Sequence, residues 1–536
     1  MMEWTRRELG VLAGAALGAG TTGAAYARAA QEKSGAKADV LPQLTLAEAS
    51  ALIQGRKTTS TDLTRALLDR ISTLNPKVNC YITVMAGEAL AQAAALDAEL
   101  QAGRSRGPLH GVPIAIKDNI DTAGTRTTAA SPMFKDRVPT EDAEIIRRLK
   151  AAGAVIIGKL NLHEFAFGCT GDVSYYGPAR NPWSLDRVTG GSSSGSGAAV
   201  AASLAYGALG TDTGGSVRVP SAWCGIVGLK PTYGLVSIRG IIPGALSLDH
   251  CGPMARTVED VALMLGPMAG YDPLDICSVE SEPQNYVQAM RQPVDRLRLS
   301  APQSFYDHLD PDIEPVVMAA LAQLTRLTAG VTSRAPLWEG EIAGGRGDTA
   351  LYHRELVEKY GMEYMGPTAA WVEQAVNPPA GAKVPTAADN ARETQRLMTM
   401  RRMIDKVFRD FDLVVVPTTR MAAPRINDAL EVERGYAEGG GEAKAKKVYD
   451  FYIADNGCAN TYPFDSFGIP AVTVPCGFTK AGLPVGIMIA GPHFAEGRVL
   501  ALAYAYEQST GWKSRSPALN GQTPVPPIVE ALSTKA

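Results

Sequence analysis

Short apolar runs alternate with helical patterns along this chain, and this alternation constrains the fold more than any other feature of the sequence. The apolar runs, each of strand length, are residues 112–116, 154–157, 413–416, 471–474 and 485–490. Helical patterns precede, separate and follow them, at residues 45–55, 63–74, 88–100, 141–151 and from about residue 496. Strands that alternate with helices are typical of α/β proteins. The sequence therefore predicts an α/β fold.

Two local signals place the first helices. Thr45 and Glu48 match a capping box, in which a hydroxyl and a carboxylate satisfy free backbone amides at the start of a helix. Gly55 is predicted to end that helix. A second helix is predicted because apolar residues recur at three- and four-residue spacing, which places them on one face. These residues are Leu63, Leu67, Ile71 and Leu74.

The composition limits the class of protein. The chain has 536 residues, of which 46% are hydrophobic and 20% charged, as in an ordinary soluble enzyme, so a disordered chain, a coiled coil and a multi-span membrane protein are excluded. The formal net charge is −3, and no nucleic-acid partner is expected because phosphate binding needs a clustered basic surface. Residues 41–525 contain no internal repeat and no clear linker. They are predicted to form a single domain, followed by a tail at 526–536.

The first 29 residues have the features of an export signal. Arg6 and Arg7 stand near the start, an uncharged Gly/Ala/Leu stretch runs from 9 to 27, and residues 25–29 fit a signal peptidase site. The adjacent arginines favour the twin-arginine route, and an uncleaved amphipathic anchor is the alternative. Residues 30–40 resemble a polar linker. The sequence thus predicts a bacterial protein that is periplasmic or secreted, with no membrane attachment after removal of the signal.

The cysteines give no sign of a metal site or of a disulfide framework. There are seven, at positions 80, 169, 224, 251, 277, 458 and 476. They form no CxxC motif, and no Cys/His pair has metal-ligand spacing. Neither a metal nor another cofactor is expected.

Residues 189–218 carry the most informative pattern. Glycines and serines are dense at 189–197, an Ala-rich helix is predicted at 198–208, and a second Gly-rich run occupies 210–218. Glycines let backbone amides approach a ligand, and serines supply hydroxyls for nucleophilic attack or proton relay. A flexible Gly/Ser linker is the alternative. An apolar helix inside the block is not typical of such a linker.

Residues 191–195 also match the G-x-S-x-G pattern of α/β-hydrolases. That pattern needs a buried strand leading into the turn, whereas residues 180–187 contain a proline and alternating charges and predict no strand. It also needs a downstream histidine with a catalytic context. None of the candidates, which are His250, His308, His353 and His493, has one. This hypothesis is therefore disfavoured, although it stays an alternative.

Lys117 becomes the candidate base because the histidines lack a catalytic context. It ends the apolar run at 112–116, and burial there would favour the neutral amine. Ser–Lys pairs are a recognised alternative to Ser–His pairs. The competing interpretation is a surface lysine at the end of a strand, which is the more ordinary role of lysine.

Three motifs that occur in this order resemble the amidase signature family. They are GVPIAIKDN at 111–119, GGSS at 190–193 and GTDTGGSVR at 210–218, with further matches at 158–161, 228–232, 249–253 and 468–471. The spacings also agree, with 192−117=75 residues from Lys117 to Ser192 and 216−192=24 from Ser192 to Ser216. The signature core spans about 110–255. One departure is Ser194, where the family usually has glycine.

The resemblance implies hydrolysis of carboxamides by a Ser-cisSer-Lys triad, which gives a carboxylic acid plus ammonia or an amine. Ser216 corresponds to the acylated nucleophile, and Ser192, which follows a cis peptide bond, to the residue that passes its proton to Lys117. Backbone amides are expected to form an oxyanion hole. These are the amides of Thr213, Gly214, Gly215 and Ser216.

The resemblance also sets expectations for the substrate pocket and the fold. Ala166, Phe167 and Gly168 are expected to line the acyl pocket, with ordinary packing as the alternative. Asp212 and Arg218 are expected to pair structurally rather than to react. The implied fold is an α/β/α sandwich, in which a large mixed β-sheet is flanked by helices.

The leading interpretation is an exported amidohydrolase that acts on a small-molecule amide. A second is the glutaminase subunit of a tRNA-linked amidotransferase, although an export signal argues against that cytoplasmic role. A third is a non-catalytic binding protein on the same scaffold. The resemblance implies that substrate specificity is set largely by the variable regions at about 270–400 and 420–460. The sequence therefore does not identify the substrate. The oligomeric state is also open, with a homodimer as one option.

Overall fold

A computed structural model describes residues 40–339, 341–344, 346–378, 386–437, 457–529 and 531–532. The predicted export signal at 1–29 and residues 30–39 of the predicted linker lie outside the described residues. Within the described residues, no helix combines the length and the apolar composition needed to cross a membrane.

The helices, in chain order, are α1 (Leu46–Gln54), α2 (Ser60–Val78), α3 (Ala86–Gln101), α4 (Glu144–Ala151), α5 (Ser194–Ala201), α6 (Arg218–Cys224), α7 (Val258–Met268), α8 (Tyr286–Ala289), α9 (Glu314–Leu327), α10 (Arg346–Tyr360), α11 (Gly366–Val376), α12 (Ala387–Ile404), α13 (Ile426–Ala437), α14 (Tyr462–Phe467) and α15 (Glu496–Gln508). The strands are β1 (Tyr81–Val84), β2 (Pro113–Lys117), β3 (Val155–Leu160), β4 (Arg180–Asn181), β5 (Ser184–Val188), β6 (Gly207–Asp212), β7 (Val227–Lys230), β8 (His250–Ala255), β9 (Leu299–Ser300), β10 (Val331–Ser333), β11 (Leu413–Pro417), β12 (Ala471–Phe478) and β13 (Pro484–Ala490).

The predicted start and end of the first helix are confirmed. The Glu48 amide donates to Thr45 Oγ1 at 3.1 Å, and the Thr45 amide donates to Glu48 Oε2 at 2.8 Å. Gly55 ends the helix. The predicted apolar face of α2 is buried as well, because none of its four residues is more than 2% exposed. They are Leu63, Leu67, Ile71 and Leu74.

One large mixed sheet organises the chain, as predicted. Its eleven strands follow the order β1-β3-β2-β6-β8-β7-β12-β13-β11-β9-β10. β2 lies between parallel neighbours, β3 and β6, whereas β6 pairs antiparallel with β8. The parallel pairing brings the carboxyl ends of β2, β3 and β6 to one edge, the usual location of ligand sites in sheets of this kind.

Helices cover both faces of the sheet, which confirms the predicted sandwich. Along β11, Leu413 and Val415 belong to one hydrophobic core, and Val414 and Val416 belong to another. This alternation places the two cores on opposite faces, because successive side chains of a strand point to opposite sides. α9 and α15 contribute to the first core, and α12 and α14 to the second.

The predicted helix at 198–208 is only partly correct. α5 starts earlier, at Ser194, and ends at Ala201, and residues 207–212 form strand β6. A Cβ at Gly195 would collide with the backbone of Asn161 and Cys80. Close packing therefore explains why a glycine, despite its low intrinsic helix propensity, stands near the start of this buried helix.

The prediction of no strand at 180–187 is wrong. β4 and β5 form an antiparallel two-stranded hairpin there, separate from the main sheet. Pro182 and Trp183 occupy its turn, so the proline does not interrupt the pairing. Of the charged residues that argued against a strand, Asp186 and Arg187 remain partly exposed, whereas Arg180 is buried and donates to the Leu185 carbonyl at 2.8 Å.

Replacement of Leu67 by alanine tests whether α2 is held by its buried face. Leu67→Ala leaves a cavity beneath the helix, so the free energy of unfolding should fall by about 2–5 kcal/mol. Arg65→Ala, at an exposed position of the same helix, should change it by less than about 0.5 kcal/mol. Urea unfolding followed by circular dichroism measures both. Equal losses in the two variants would contradict the assignment of the buried face.

Candidate active site

Lys117 is buried at the end of β2. Its side chain is 0% exposed, and Nζ donates hydrogen bonds to Ser192 Oγ and to Thr211 Oγ1, each at 2.7 Å. Burial lowers the pKa of Lys117 to about 7, although the charges of Asp212 and Asp249 oppose that shift. The alternative of a surface lysine is therefore wrong, and the amine is partly neutral at neutral pH.

Ser192 lies in the turn that leads into α5. Its side chain is fully buried, and the Gly191–Ser192 peptide bond is cis. The Ser192 carbonyl accepts hydrogen bonds from the amides of His163, at 3.0 Å, and Ser194, at 2.9 Å. The turn is thereby fixed to the segment that follows β3.

Ser216 lies in the loop between β6 and α6 and is 6% exposed. Its carbonyl accepts a hydrogen bond from the Ser193 amide at 3.2 Å. The loop of Ser216 is thus joined directly to the turn that carries Ser192, and β6 pairs with β2, which carries Lys117. The fold brings all three expected site residues to the same edge of the sheet.

The sequence motifs contain two further contributors to this site that sequence reasoning did not assign. Thr211 is the second partner of Lys117. Asn119 Nδ2 in turn donates to Thr211 Oγ1 at 3.3 Å and to the Ile242 carbonyl at 3.1 Å. Both residues fall inside the motifs at 111–119 and 210–218. Their contacts depend on the pairing of β2 with β6, which the sequence alone does not specify.

The backbone amides before Ser216 differ in their availability. The Gly215 amide donates to Asp212 Oδ1 at 2.6 Å. Within the part of the chain that the structure describes, the amides of Thr213, Gly214 and Ser216 donate to no protein acceptor. This geometry departs from the expectation of four oxyanion donors, because the carboxylate at the end of β6 already occupies one of them.

The expected pairing of Asp212 with Arg218 is confirmed. Arg218 Nε and Nη2 donate to the Asp212 carboxylate at 3.0 and 2.8 Å, and Nη2 also donates to Asp465 Oδ2 at 2.5 Å. All three side chains are fully buried. Burial alone would raise the pKa of Asp212, but the charge and hydrogen bonds of Arg218 hold it well below its ordinary value. Asp212 therefore stays ionised beneath the loop of Ser216.

The segment 166–168, expected in the acyl pocket, lies beside the turn of Ser192. Cys169 directly follows this segment, and its carbonyl accepts a hydrogen bond from the Gly191 amide at 2.7 Å. Phe167 is 36% exposed, and its ring stacks on Trp371 of α11 with the centroids 4.1 Å apart. The segment therefore presents an aromatic surface next to the buried serines.

The structure gives no support to the G-x-S-x-G alternative. The serine of that pattern is Ser193, whose Oγ donates to the Thr211 carbonyl and accepts from the Thr211 amide, both at 3.2 Å. His250 contacts Lys230 and the Asp212 carbonyl instead of a serine. Among the described residues, no group of three or more His, Cys, Asp or Glu side chains is arranged to hold a metal ion.

Comparison with known proteins decides the family. The family model described as Amidase matches residues 62–337 and 348–500. The chain belongs to the amidase signature family. It is accordingly an amidase, an enzyme that hydrolyses amide C–N bonds.

Curated relatives of this amidase include subunits A of glutamyl-tRNA(Gln) amidotransferases. The protein from Moorella thermoacetica is 38% identical over 89% of this chain and 98% of its own length. The protein from Methylococcus capsulatus is 39% identical over 88% of this chain and 98% of its own length.

Solved structures of similar fold include amide hydrolases. The 6-aminohexanoate cyclic dimer hydrolase in complex with substrate aligns with a TM-score of 0.78 and 25% identity, over 89% of this chain and 99% of that one. The native peptide amidase from Stenotrophomonas maltophilia aligns with a TM-score of 0.70 and 30% identity, over 89% and 98% of the two chains.

Removal of the Arg218 guanidinium tests how strongly it stabilises this part of the fold. Arg218→Met leaves the Asp212 carboxylate buried without the guanidinium that binds it, so the free energy of unfolding should fall by about 3–5 kcal/mol. Arg392→Met is the control, because Arg392 pairs with Asp389 on the surface and should contribute less than about 1 kcal/mol. Denaturant unfolding measures both. Similar losses in the two variants would contradict the prediction.

Proposed function

We propose that this amidase cleaves carboxamides through an acyl-enzyme on Ser216, with Ser192 as proton relay and Lys117 as base. The observation that best supports the proposal is the 2.7 Å hydrogen bond between Lys117 Nζ and Ser192 Oγ in a fully buried site. A lysine amine serves as a general base only when it is neutral. Burial brings the pKa of Lys117 to about 7, which meets that requirement.

In the proposed reaction, Ser216 Oγ attacks the carbonyl carbon of the amide. Its proton passes to Ser192 Oγ, while the Ser192 proton passes to Lys117 Nζ. Collapse of the tetrahedral intermediate breaks the C–N bond, and the nitrogen leaves as ammonia or an amine after taking a proton back through the same relay. Water, activated by the relay, then releases the carboxylic acid and restores Ser216.

The oxyanion of the tetrahedral intermediate is proposed to bind the amides of Thr213, Gly214 and Ser216. These are the amides of the loop that have no protein acceptor in the described part of the chain. Amides that are already oriented stabilise developing negative charge without a reorganisation cost. Thr211, which contacts Lys117 at 2.7 Å, is proposed to hold the amine in line with Ser192 during the transfer.

Two substrate classes share this chemistry. The first is a small-molecule amide met outside the cytoplasm, which the export-signal pattern at 1–29 favours. The second is glutamine, hydrolysed to supply ammonia to a partner subunit, which the curated relatives favour over the first. The chain matches those relatives over 98% of their length, so this second candidate is retained.

The pH profile tests the role of Lys117. Below its pKa of about 7 the amine is protonated and lacks the lone pair it needs. The value of kcat/KM should therefore rise with pH through an apparent pKa near neutrality and then level off. Lys117→Ala should lose this rise together with most of the rate, because truncating one member of a coupled triad removes nearly all the rate enhancement of the triad.

Two serine variants complete that experiment. Ser216→Ala should abolish labelling by a fluorophosphonate, because it removes the nucleophile. Ser192→Ala should still be labelled, but slowly, because it removes only the relay. Near-normal rates in Lys117→Ala, with activity lost on substitution of His250 or His493, would overturn the lysine mechanism.

A substrate panel separates the two classes. We expect the purified chain, without any partner, to release ammonia from at least one of propionamide, benzamide, a peptide C-terminal amide and glutamine, because all the proposed groups lie on one chain. Hydrolysis confined to glutamine, together with an intact Met1 in the cytosolic fraction of the native host, would favour the amidotransferase role. A mature N-terminus near residue 28 or 30 in the periplasm would favour the exported amidase.

A further inference from the structure

The peptide group between Gly214 and Gly215 is held from both sides. Its N–H, on Gly215, donates to Asp212 Oδ1 at 2.6 Å. Its C=O, on Gly214, accepts from Thr461 Oγ1 at 2.7 Å. The Thr461 hydroxyl also lies 3.2 Å from the Cys458 carbonyl, so the contact with Gly214 is the shorter of its two.

This peptide group sits between two of the proposed oxyanion donors. The Gly214 amide precedes it and the Ser216 amide follows it. Glycine adopts a wide range of backbone dihedrals at little cost, so a peptide flanked by two glycines can rotate more easily than most. A rotation of this peptide group would turn the Gly214 carbonyl toward the side that the Gly215 N–H now faces. It would also change the direction of the neighbouring amides.

Thr461 is itself fixed by the buried charges beneath the loop. Arg218 Nη1 donates to the Thr461 carbonyl at 2.8 Å, and the same guanidinium binds Asp212. Thr461 is fully buried. Gly215, at φ +135°, has no room for a side chain, because a Cβ would collide with Thr461. Asp212, Arg218, Thr461 and the Gly214–Gly215 peptide therefore form a closed ring of contacts.

We propose that Thr461 is a positioning residue of the active site, whose hydroxyl fixes the Gly214–Gly215 peptide so that the flanking amides face the oxyanion. Among the described residues, its hydrogen bonds go to neither Ser216 nor Lys117, and it acts through the backbone of the loop. The inference rests on the proposed function, because it needs Ser216 as the nucleophile. It assigns a role to Thr461, which sequence analysis left without one.

Isosteric replacement of Thr461 tests the inference. Thr461→Val keeps the shape and removes the hydroxyl. Loss of one oxyanion donor costs about 10²–10³-fold in kcat. Because Thr461 acts indirectly, the expected loss is about 10–100-fold in kcat and in the rate of fluorophosphonate labelling, with KM changed less than about threefold. Thr461→Ser should stay within about threefold of the wild-type kcat, because it keeps the hydroxyl.

Two comparisons separate positioning from a general structural role. Thr418→Val is the matched control, because Thr418 is a buried threonine whose hydroxyl bonds to Thr473 Oγ1 at 3.1 Å. It should lower stability without lowering kcat. A second pair, Thr461→Ser and Thr461→Ala, differs only in the hydroxyl and gives the same comparison if the valine variant does not fold. The pH profile of Thr461→Val should keep its apparent pKa, because Lys117 is untouched.

The assays use 4-nitrophenyl acetate and the fluorophosphonate with the full chain. A Thr461→Val kcat within threefold of the wild type, or an alanine variant as active as the serine variant, would overturn the inference. So would an equal loss of kcat in Thr418→Val. Absence of fluorophosphonate on Ser216 in the wild type would instead reject the proposed function, and the inference with it. Normal labelling of the wild type combined with a fully active Thr461→Val would reject the inference alone.

Discussion

The rest of the site depends on one interaction, the buried ion pair between the Arg218 guanidinium and the Asp212 carboxylate. The guanidinium binds Asp212 at the end of β6 and Asp465 in α14, residues that lie 253 positions apart (465−212=253). Arg218 offsets the cost of burying the Asp212 charge, which is several kcal/mol, whereas burial raises the pKa of the Asp465 carboxyl well above its ordinary value. The carboxylate that Arg218 keeps ionised also orders the loop of Ser216, since Asp212 accepts hydrogen bonds from the amides of Gly215 and Val217.

A second constraint is the position of Lys117 at the edge of a sheet that is covered on both faces. Burial there removes water from the amine and lowers its pKa to about 7. The hydrogen bonds to Ser192 and Thr211 compensate for part of the lost hydration. The fold thus supplies an amine that is partly neutral at neutral pH. Lys159 and Lys230 are also fully buried with lowered pKa values. They contact Asp118 and the Ile469 carbonyl instead of a serine, so the contact with Ser192, and not burial alone, distinguishes Lys117.

Much of the fold could be predicted because the relevant signals are local. The capping box at Thr45, the apolar face of α2 and the apolar runs of β2, β3, β11, β12 and β13 all depend on residues close in sequence. Two of the errors share one cause. Gly195, in the helical segment 194–197, has no room for a side chain because the backbone of Cys80 and Asn161 lies too close. Residues 207–212 form β6 because β2 and β8 supply its hydrogen-bond partners. Neither fact is local.

The sequence by itself determined the fold class and the family motifs, and the resemblance of those motifs to the amidase signature family selected Lys117, Ser192 and Ser216 as the candidate site residues. The tertiary structure decided their environment. It lowered the pKa of Lys117 and placed Thr211, which is in turn bound by Asn119, against its amine. It also paired the Gly215 amide with Asp212, so that this amide is not available to an oxyanion. It also brought Thr461 to the Gly214 carbonyl from 247 residues away. The physical reason is that residue types are local properties of the chain, whereas burial and hydrogen-bond partners depend on which distant segments pack together.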